Sequence, residues 1–331
     1  MPPIASVVLF LFVLFTRPFL IQSSLLSEEE GGGGCEIQLG GDDHCLTPST
    51  LFAKAYDYIT ANLPTYDELN KLSLGLGEDA EFGDKSGVGS ATITQSILAL
   101  QTLPWAKRQP MDVFVEYVAT YGFLNEPREW VREYLYGVVM DIIKDSGYEV
   151  NDLRSKDDVK LVISLINSKI WSLDPSKNIT FTSNMTPLIY SPSLTLLHST
   201  SSCTGLSVFL ASALRAAGIP SRIAGTPAWN GVHENGNHNW VEVYVDGKWY
   251  PIQSLPAGGP AGIATGGEEC KLWFCTPEKV KDTKFVASAW SPKENDKDGK
   301  ALRFELAWDL ENDSVMATDR TDFYVDLCSK C

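Results

Sequence analysis

The sequence predicts an α+β fold, with a helical N-terminal layer followed by a cysteine-bearing helix packed on an antiparallel sheet. Three observations predict it. Apolar residues recur at three- and four-residue steps from Ser49 to about residue 172. After Pro220 the period switches to two in short runs, and an Asp246-Gly247 turn signal lies between two of them. The strands come together after the helices, without the strand–helix alternation that builds a parallel sheet.

The elements follow in order. "IASVVLFLFVLF" has the length of a signal-peptide hydrophobic region and is too short to span a bilayer, so residues 1–24 are expected to be a cleaved signal peptide. Residues 25–48 read as a Gly-rich, acidic linker. Residues 49–172 form the helical region. Its helices are expected at "STLFAKAYDYITANL", "ATITQSILALQTL", "PMDVFVEYVATYGFL", "PREWVREYLYGVVMDIIKDSG" and "SKDDVKLVISLINSKIWSL", the fourth starting at Pro127. Trp105, Trp130 and Trp171 are read as helix-packing residues. Residues 173–290 form the core. There "LSVFLASALRAAGIP" is a helix ended by Gly218 and Pro220, "SRIAGTPAWN" a short strand, and "HNWVEVYVDGKWYPIQ" a hairpin. "KFVASAWSP" and "ALRFELAWDL" are further strand expectations, and residues 291–331 make a C-terminal stretch of strands with a cysteine-containing tail.

The chain has 331 residues and a formal net charge of −15. That acidity repels phosphate backbones and argues against nucleic acid as a partner. A signal peptide places the chain outside the cell or in the secretory lumen, with no stable membrane insertion after cleavage. In that compartment the close spacing of Cys35 with Cys45, Cys270 with Cys275 and Cys328 with Cys331 suggests three short-loop disulfides. Cys203 is left over. Sequons at Asn178, Asn184 and Asn312 fit the same route.

Cys203 follows "STSS" at the mouth of a helix that Ser201 or Ser202 can cap. Free N–H groups and the positive end of the helix dipole favour a thiolate there. Its alternatives are an inert core cysteine and a bridge to a second chain. Of the four histidines, His44 lies in the linker, His198 in the approach to Cys203 and His233 in a Gly- and Asn-rich loop; His238 heads the hairpin strand. A two-residue turn at Asp246-Gly247 sets the register: Val245 faces Lys248, Glu242 faces Pro251, and Trp240 faces Gln253. Gln253 is then the diagonal neighbour of His238, able to accept from the imidazole but not to neutralise an imidazolium.

"CTGLSVFLASALRAAGIPSRIAGTPAW" followed by "NHNWVEVYVDGKWYPI" resembles the transglutaminase-like superfamily, and within it the secreted microbial members. The resemblance implies a papain-like site with Cys203 as nucleophile and His238 as general base and acid, working through a thioester that water or an amine resolves. Protein or peptide carboxamides are the implied substrates. Where the superfamily commonly has Asp, this chain has Gln253. Absence of turnover is the alternative: the chain would then be a binding or cell-surface module with Trp229, Trp240 and Trp249 lining a groove. No EF-hand calcium loop is visible and the one CxxC lacks a second pair, so neither metal nor cofactor is expected.

Overall fold

The computed structural model describes residues 37–40, 45–174, 176–264 and 268–331. The signal-peptide expectation, Cys35, His44 and most of the linker lie outside the described residues.

The first helix, α1 (Pro48–Ala61), is capped two residues earlier than the sequence suggested: the Thr47 hydroxyl accepts from the Thr50 N–H at 3.1 Å. The next, α2 (Val88–Thr102), is almost wholly buried. Periodicity carried the third helix to residue 124, but α3 (Met111–Tyr117) stops at Tyr117. Beyond it the carbonyls of Val118, Thr120 and Gly122 are taken by the buried guanidiniums of Arg132 and Arg215. The backbone is satisfied without a helix. The fourth helix, α4 (Arg132–Asp145), begins after Pro127 rather than at it. Arg128 is committed to Asp67 at 3.1 Å and Glu129 to Ser191 at 2.6 Å, which holds the intervening chain extended. A capping box between Ser155 and Asp158 starts α5 (Lys156–Lys169). Trp105 and Trp171 are buried as expected, whereas Trp130 lies at the surface beneath Lys85.

A short helix, α6 (Pro192–His198), was not legible in the sequence. It precedes α7 (Cys203–Ala216), which packs on a five-stranded sheet. The strands are β1 (Ser221–Thr226), β2 (His238–Val245), β3 (Lys248–Ile252), β4 (Val286–Ala289) and β5 (Met316–Asp319), in the order β3-β2-β1-β4-β5 and antiparallel throughout. The hairpin has the register read from its turn, with Val245 opposite Lys248 and Glu242 opposite Pro251. Asp246 and Gly247 both have positive φ, as a type I′ turn needs. "ALRFELAWDL" is not a strand; it runs beside β5 through two backbone bonds, Phe304 to Val315 and Ala317 to Leu302, and turns back at Asp309.

Both faces of the sheet are covered. Val241, Val243, Val245 and Ile223 point into a large core shared with the helices, which runs from Ile37 to Ala317. Trp240, Ala224 and Ala287 point the other way, into a smaller core with Phe274, Phe285 and Tyr324. Closing that second core are the segment around Phe274 and a C-terminal helix, α8 (Thr321–Cys328).

Two disulfides correct the short-loop pairing. Cys270 bonds Cys331 and Cys275 bonds Cys328, with Cα separations of 5.2 and 4.8 Å. The last turns of α8 lie alongside the segment 268–275, so each cysteine reaches across to the other segment rather than back along its own. Either bridge alone closes more than fifty residues. That removes about 4 kcal/mol of unfolded-chain entropy in the loop-closure model, against about 2 for a six-residue loop. Cys45 is also disulfide-bonded. Among the described residues no helix is long and apolar enough to cross a membrane.

Candidate active site

Cys203 is the first residue of α7. Ser202 occupies the N-cap position with extended backbone, yet its hydroxyl does not cap the helix; it bonds Thr186 at 2.6 Å. The first turn of α7 therefore keeps its N–H groups for other acceptors. Cys203 is the free cysteine of the described residues and is partly exposed. Burial pushes its thiol up, and hydrogen bonds from the Asn239 backbone N–H and from Thr204 offset this only in part.

The head of β2 is fastened to the start of α7 around Asn239. Its side-chain amide donates to the Thr204 hydroxyl at 2.8 Å, and its carbonyl accepts from the Ser207 hydroxyl at 3.2 Å. Gly225 on β1 makes room for it, because a Cβ there would lie 2.0 Å from the Asn239 side-chain oxygen. His238 is the preceding residue. Sequence and structure thus bring Cys203 and His238 to one end of one helix–strand contact.

His238 is buried, and its Nε2 lies 3.0 Å from Gln253 Oε1. The amide oxygen accepts, so Nε2 carries the proton and Nδ1 is left as the basic nitrogen. Gln253 sits just past the end of β3 and is fully buried. Two features hold it that sequence reading missed. Asn167 on α5 donates to the Gln253 carbonyl at 2.9 Å and accepts from the Leu255 N–H at 3.1 Å. Gly259, at φ +135°, packs where a Cβ would fall 2.8 Å from Gln253 Cβ. Asn167 lies 86 residues from Gln253, beyond the reach of any local pattern.

Around the imidazole stand Trp273, Phe274, Trp240 and Trp229, with ring centroids 4.7, 5.5, 5.7 and 6.5 Å away. Burial lowers the His238 pKa to about 4; the Gln253 bond opposes this and Lys279 adds to it. Both shifts favour the neutral thiol and the neutral imidazole, opposing the pull of the helix dipole toward a thiolate.

These shifts carry a stability signature. Below pH 6.5 the unfolded chain protonates His238, while the folded chain refuses that proton until about pH 4. Stability should fall by about 3 kcal/mol across that window, and a His238→Gln variant should lack this part of the fall. Above the ordinary thiol range the raised Cys203 acts in the opposite direction, costing stability as pH rises. Denaturant titrations at pH 7 and 4.5 on both proteins check the acid side; parallel losses in the two would exclude His238 as the source.

The tryptophans expected to line a groove are placed differently. Trp240 is fully buried, donating to the Tyr324 hydroxyl at 2.6 Å. Trp229 is buried against His238. Trp249 pairs with Tyr244, six residues down β2 from His238, or roughly 20 Å along the strand. There it stacks under Arg222, 4.0 Å from the ring centroid. The exposed aromatic beside His238 is Trp273, at 44% exposure. His198 and His233 are exposed, and His233 sits in the loop where the sequence put it. Asn178 and Asn184 are exposed, whereas the Asn312 amide is half-buried and donates to Asp309. Among the described residues no group of three or more His, Cys, Asp or Glu could hold a metal ion.

The family described as "Transglutaminase-like superfamily" matches residues 166–254, which hold Cys203, His238 and Gln253. No curated protein matches the chain. Two solved structures are similar in part. One is a proposed cysteine protease from Cytophaga hutchinsonii, with 17% identity and a TM-score of 0.29 over 60% of this chain and 61% of that one. The other is a TGase, with 17% identity and a TM-score of 0.25 over 39% of this chain and 33% of that one. The chain thus spans about three fifths of the first and a third of the second.

Proposed function

Since residues 166–254 are a core of the transglutaminase-like superfamily, we propose that the chain is a cysteine enzyme acting on peptide or carboxamide carbonyls, with Cys203 as nucleophile, His238 as base and acid, and Gln253 orienting the ring. The observation that carries this reading is the 3.0 Å contact between His238 Nε2 and Gln253 Oε1, at the strand head that Asn239 fastens to the Cys203 turn.

The steps follow from the neutral pair. As the Cys203 sulfur attacks the carbonyl carbon, its proton passes to His238 Nδ1 and the carbon–sulfur bond forms. Unused N–H groups at the start of α7 stabilise the oxyanion. His238 then returns the proton to the departing nitrogen, the carbon–nitrogen bond breaks, and a thioester remains on Cys203. Water, deprotonated by His238, releases an acid and restores the thiol; an amine in its place gives a new amide. A neutral Gln253 keeps Nδ1 free of its proton at rest, and its carbonyl dipole favours the imidazolium once it forms. The disulfides and the three sequons support action in the secretory lumen or outside the cell.

Trapping tests the proposal. The protein is mixed with a panel of peptide carboxamides and peptide esters, quenched in acid, and the Cys203 peptide is weighed by mass spectrometry. An acyl adduct on Cys203 that is absent from Cys203→Ser, and removed by hydroxylamine, is the expected result. Turnover of any of these substrates at the same rate by Cys203→Ser would contradict it.

A further inference from the structure

Lys279 lies in a short helical turn, Pro277–Val280, and its ammonium sits 5.1 Å from the Trp229 ring centroid and 5.8 Å from that of Trp273. Its backbone is fixed from two sides. The Lys279 carbonyl accepts from the Thr283 hydroxyl at 2.6 Å, and Asn230 donates to the carbonyls of Glu278 and Lys281 at 2.8 and 2.9 Å. Asn230 follows Trp229 in sequence, so the lysine turn and the tryptophan turn form one rigid ledge. Trp273 completes it, packing edge-on to Trp229 at 5.9 Å and on His238 at 4.7 Å.

The chain carries 42 acidic residues against 27 basic ones, yet Lys279 makes no ion pair among the described residues. Ring faces attract an ammonium without accepting its N–H bonds as a carboxylate does, so the charge keeps its capacity for an anion. Through Trp273 it lies within about 10 Å of the imidazole, the screening length at 0.1 M salt. The long-range field of a −15 chain repels anions. Against that field, Lys279 adds a positive charge on the His238 side of the site, beside the N–H groups that open α7.

We propose that Lys279, held on the Trp229–Trp273 ledge beside His238, is a specificity-determining residue that selects substrates with a carboxylate side chain next to the reacting carbonyl. The proposal rests on the reading of Cys203 as nucleophile. It names the substrate class as acidic peptide segments, and it disfavours a lysine approaching as acyl acceptor from this side.

Charged thiosulfonates report the local field without requiring turnover. In each reaction the Cys203 thiolate attacks the reagent's sulfenyl sulfur, a mixed disulfide forms and methanesulfinate leaves. The ratio of rates for the anionic 2-sulfonatoethyl and the cationic 2-trimethylammonioethyl methanethiosulfonates, mapped at Cys203, is compared with the same ratio in guanidinium-unfolded chain. Wild type should exceed that reference by about threefold or more. Lys279→Gln should return to or below it, Lys279→Glu should invert it, and Lys279→Arg should retain the preference. A merely structural lysine would not invert the ratio, and an unfolded variant would give the reference value. Equal ratios in wild type and Lys279→Glu, or a wild-type ratio at the reference, would overturn the proposal. Failure of the nucleophile reading shows separately, as a reaction rate with neutral reagent that His238→Ala leaves unchanged.

Discussion

Replacing His238 with alanine is expected to slow acylation of Cys203 by about 10²–10⁴-fold, the usual contribution of a positioned general base. The effect should fall on kcat more than on KM, because the ring sits below the exposed Trp273 rather than in the solvent-facing mouth. Burial raises the thiol pKa, so removal of the base leaves a proton that is harder to take from Cys203. Gln253→Ala should cost less, about tenfold to a hundredfold, since it frees the ring without removing it. Gln253→Glu is the informative companion. A carboxylate on Nε2 raises the His238 pKa from its depressed value of about 4, so the acid limb of the rate profile should move to higher pH, while the thiolate–imidazolium form gains at neutral pH. An unmoved acid limb in Gln253→Glu would show that Gln253 does not act on this imidazole.

The second large effect concerns stability. Glu242 is fully buried, on the same face of β2 as His238. It accepts from Arg222 Nη2 at 2.7 Å and Nε at 2.9 Å, from Arg320 Nε at 2.9 Å and from the Tyr324 hydroxyl at 2.8 Å. Burial pushes its carboxyl up, but Arg222 and Arg320 outweigh this and hold it below the ordinary range. Tyr324 links the cluster to Trp240 and so to the wall of the His238 pocket. Glu242→Ala leaves a buried Arg222 with no counter-charge, and should destabilise the fold by about 3–5 kcal/mol. Denaturant unfolding at pH 7 measures it, and the melting temperature should fall by roughly 6–10 °C. A change below about 1 kcal/mol would mean that the cluster is solvated or dispensable.

The site's local half was legible and its distant half was not. The Asp246-Gly247 turn fixes the hairpin register, and one count outward brings Gln253 to His238. The start of α7 at Cys203 falls where the hydroxyl run placed it, although the Ser202 side chain bonds Thr186 instead of capping the helix. Both inferences use contacts within about fifteen residues, where turn chemistry and periodicity decide. The carriers of the remaining detail lie far off in sequence: Asn167 behind Gln253, Arg320 on Glu242, Trp273 over His238, and Lys279 over Trp229 and Trp273. Nothing local marks them. The crosswise disulfides belong to the same class, because the docking of α8 decides which sulfurs meet. The early end of α3 is a related case, since buried arginines supply backbone partners that periodicity does not register.

The most direct test of the Cys203–His238 pair is the rate of Cys203 alkylation by a neutral reagent across pH 4 to 9, in wild type and His238→Ala. The pair predicts a wild-type rate that stays level between about pH 5 and 7.5, falls as His238 protonates near pH 4 and rises again as the free thiol ionises. His238→Ala should lose the level region and drop about tenfold per pH unit below the thiol's own range. Superimposable profiles in the two proteins would show that Cys203 and His238 do not act together.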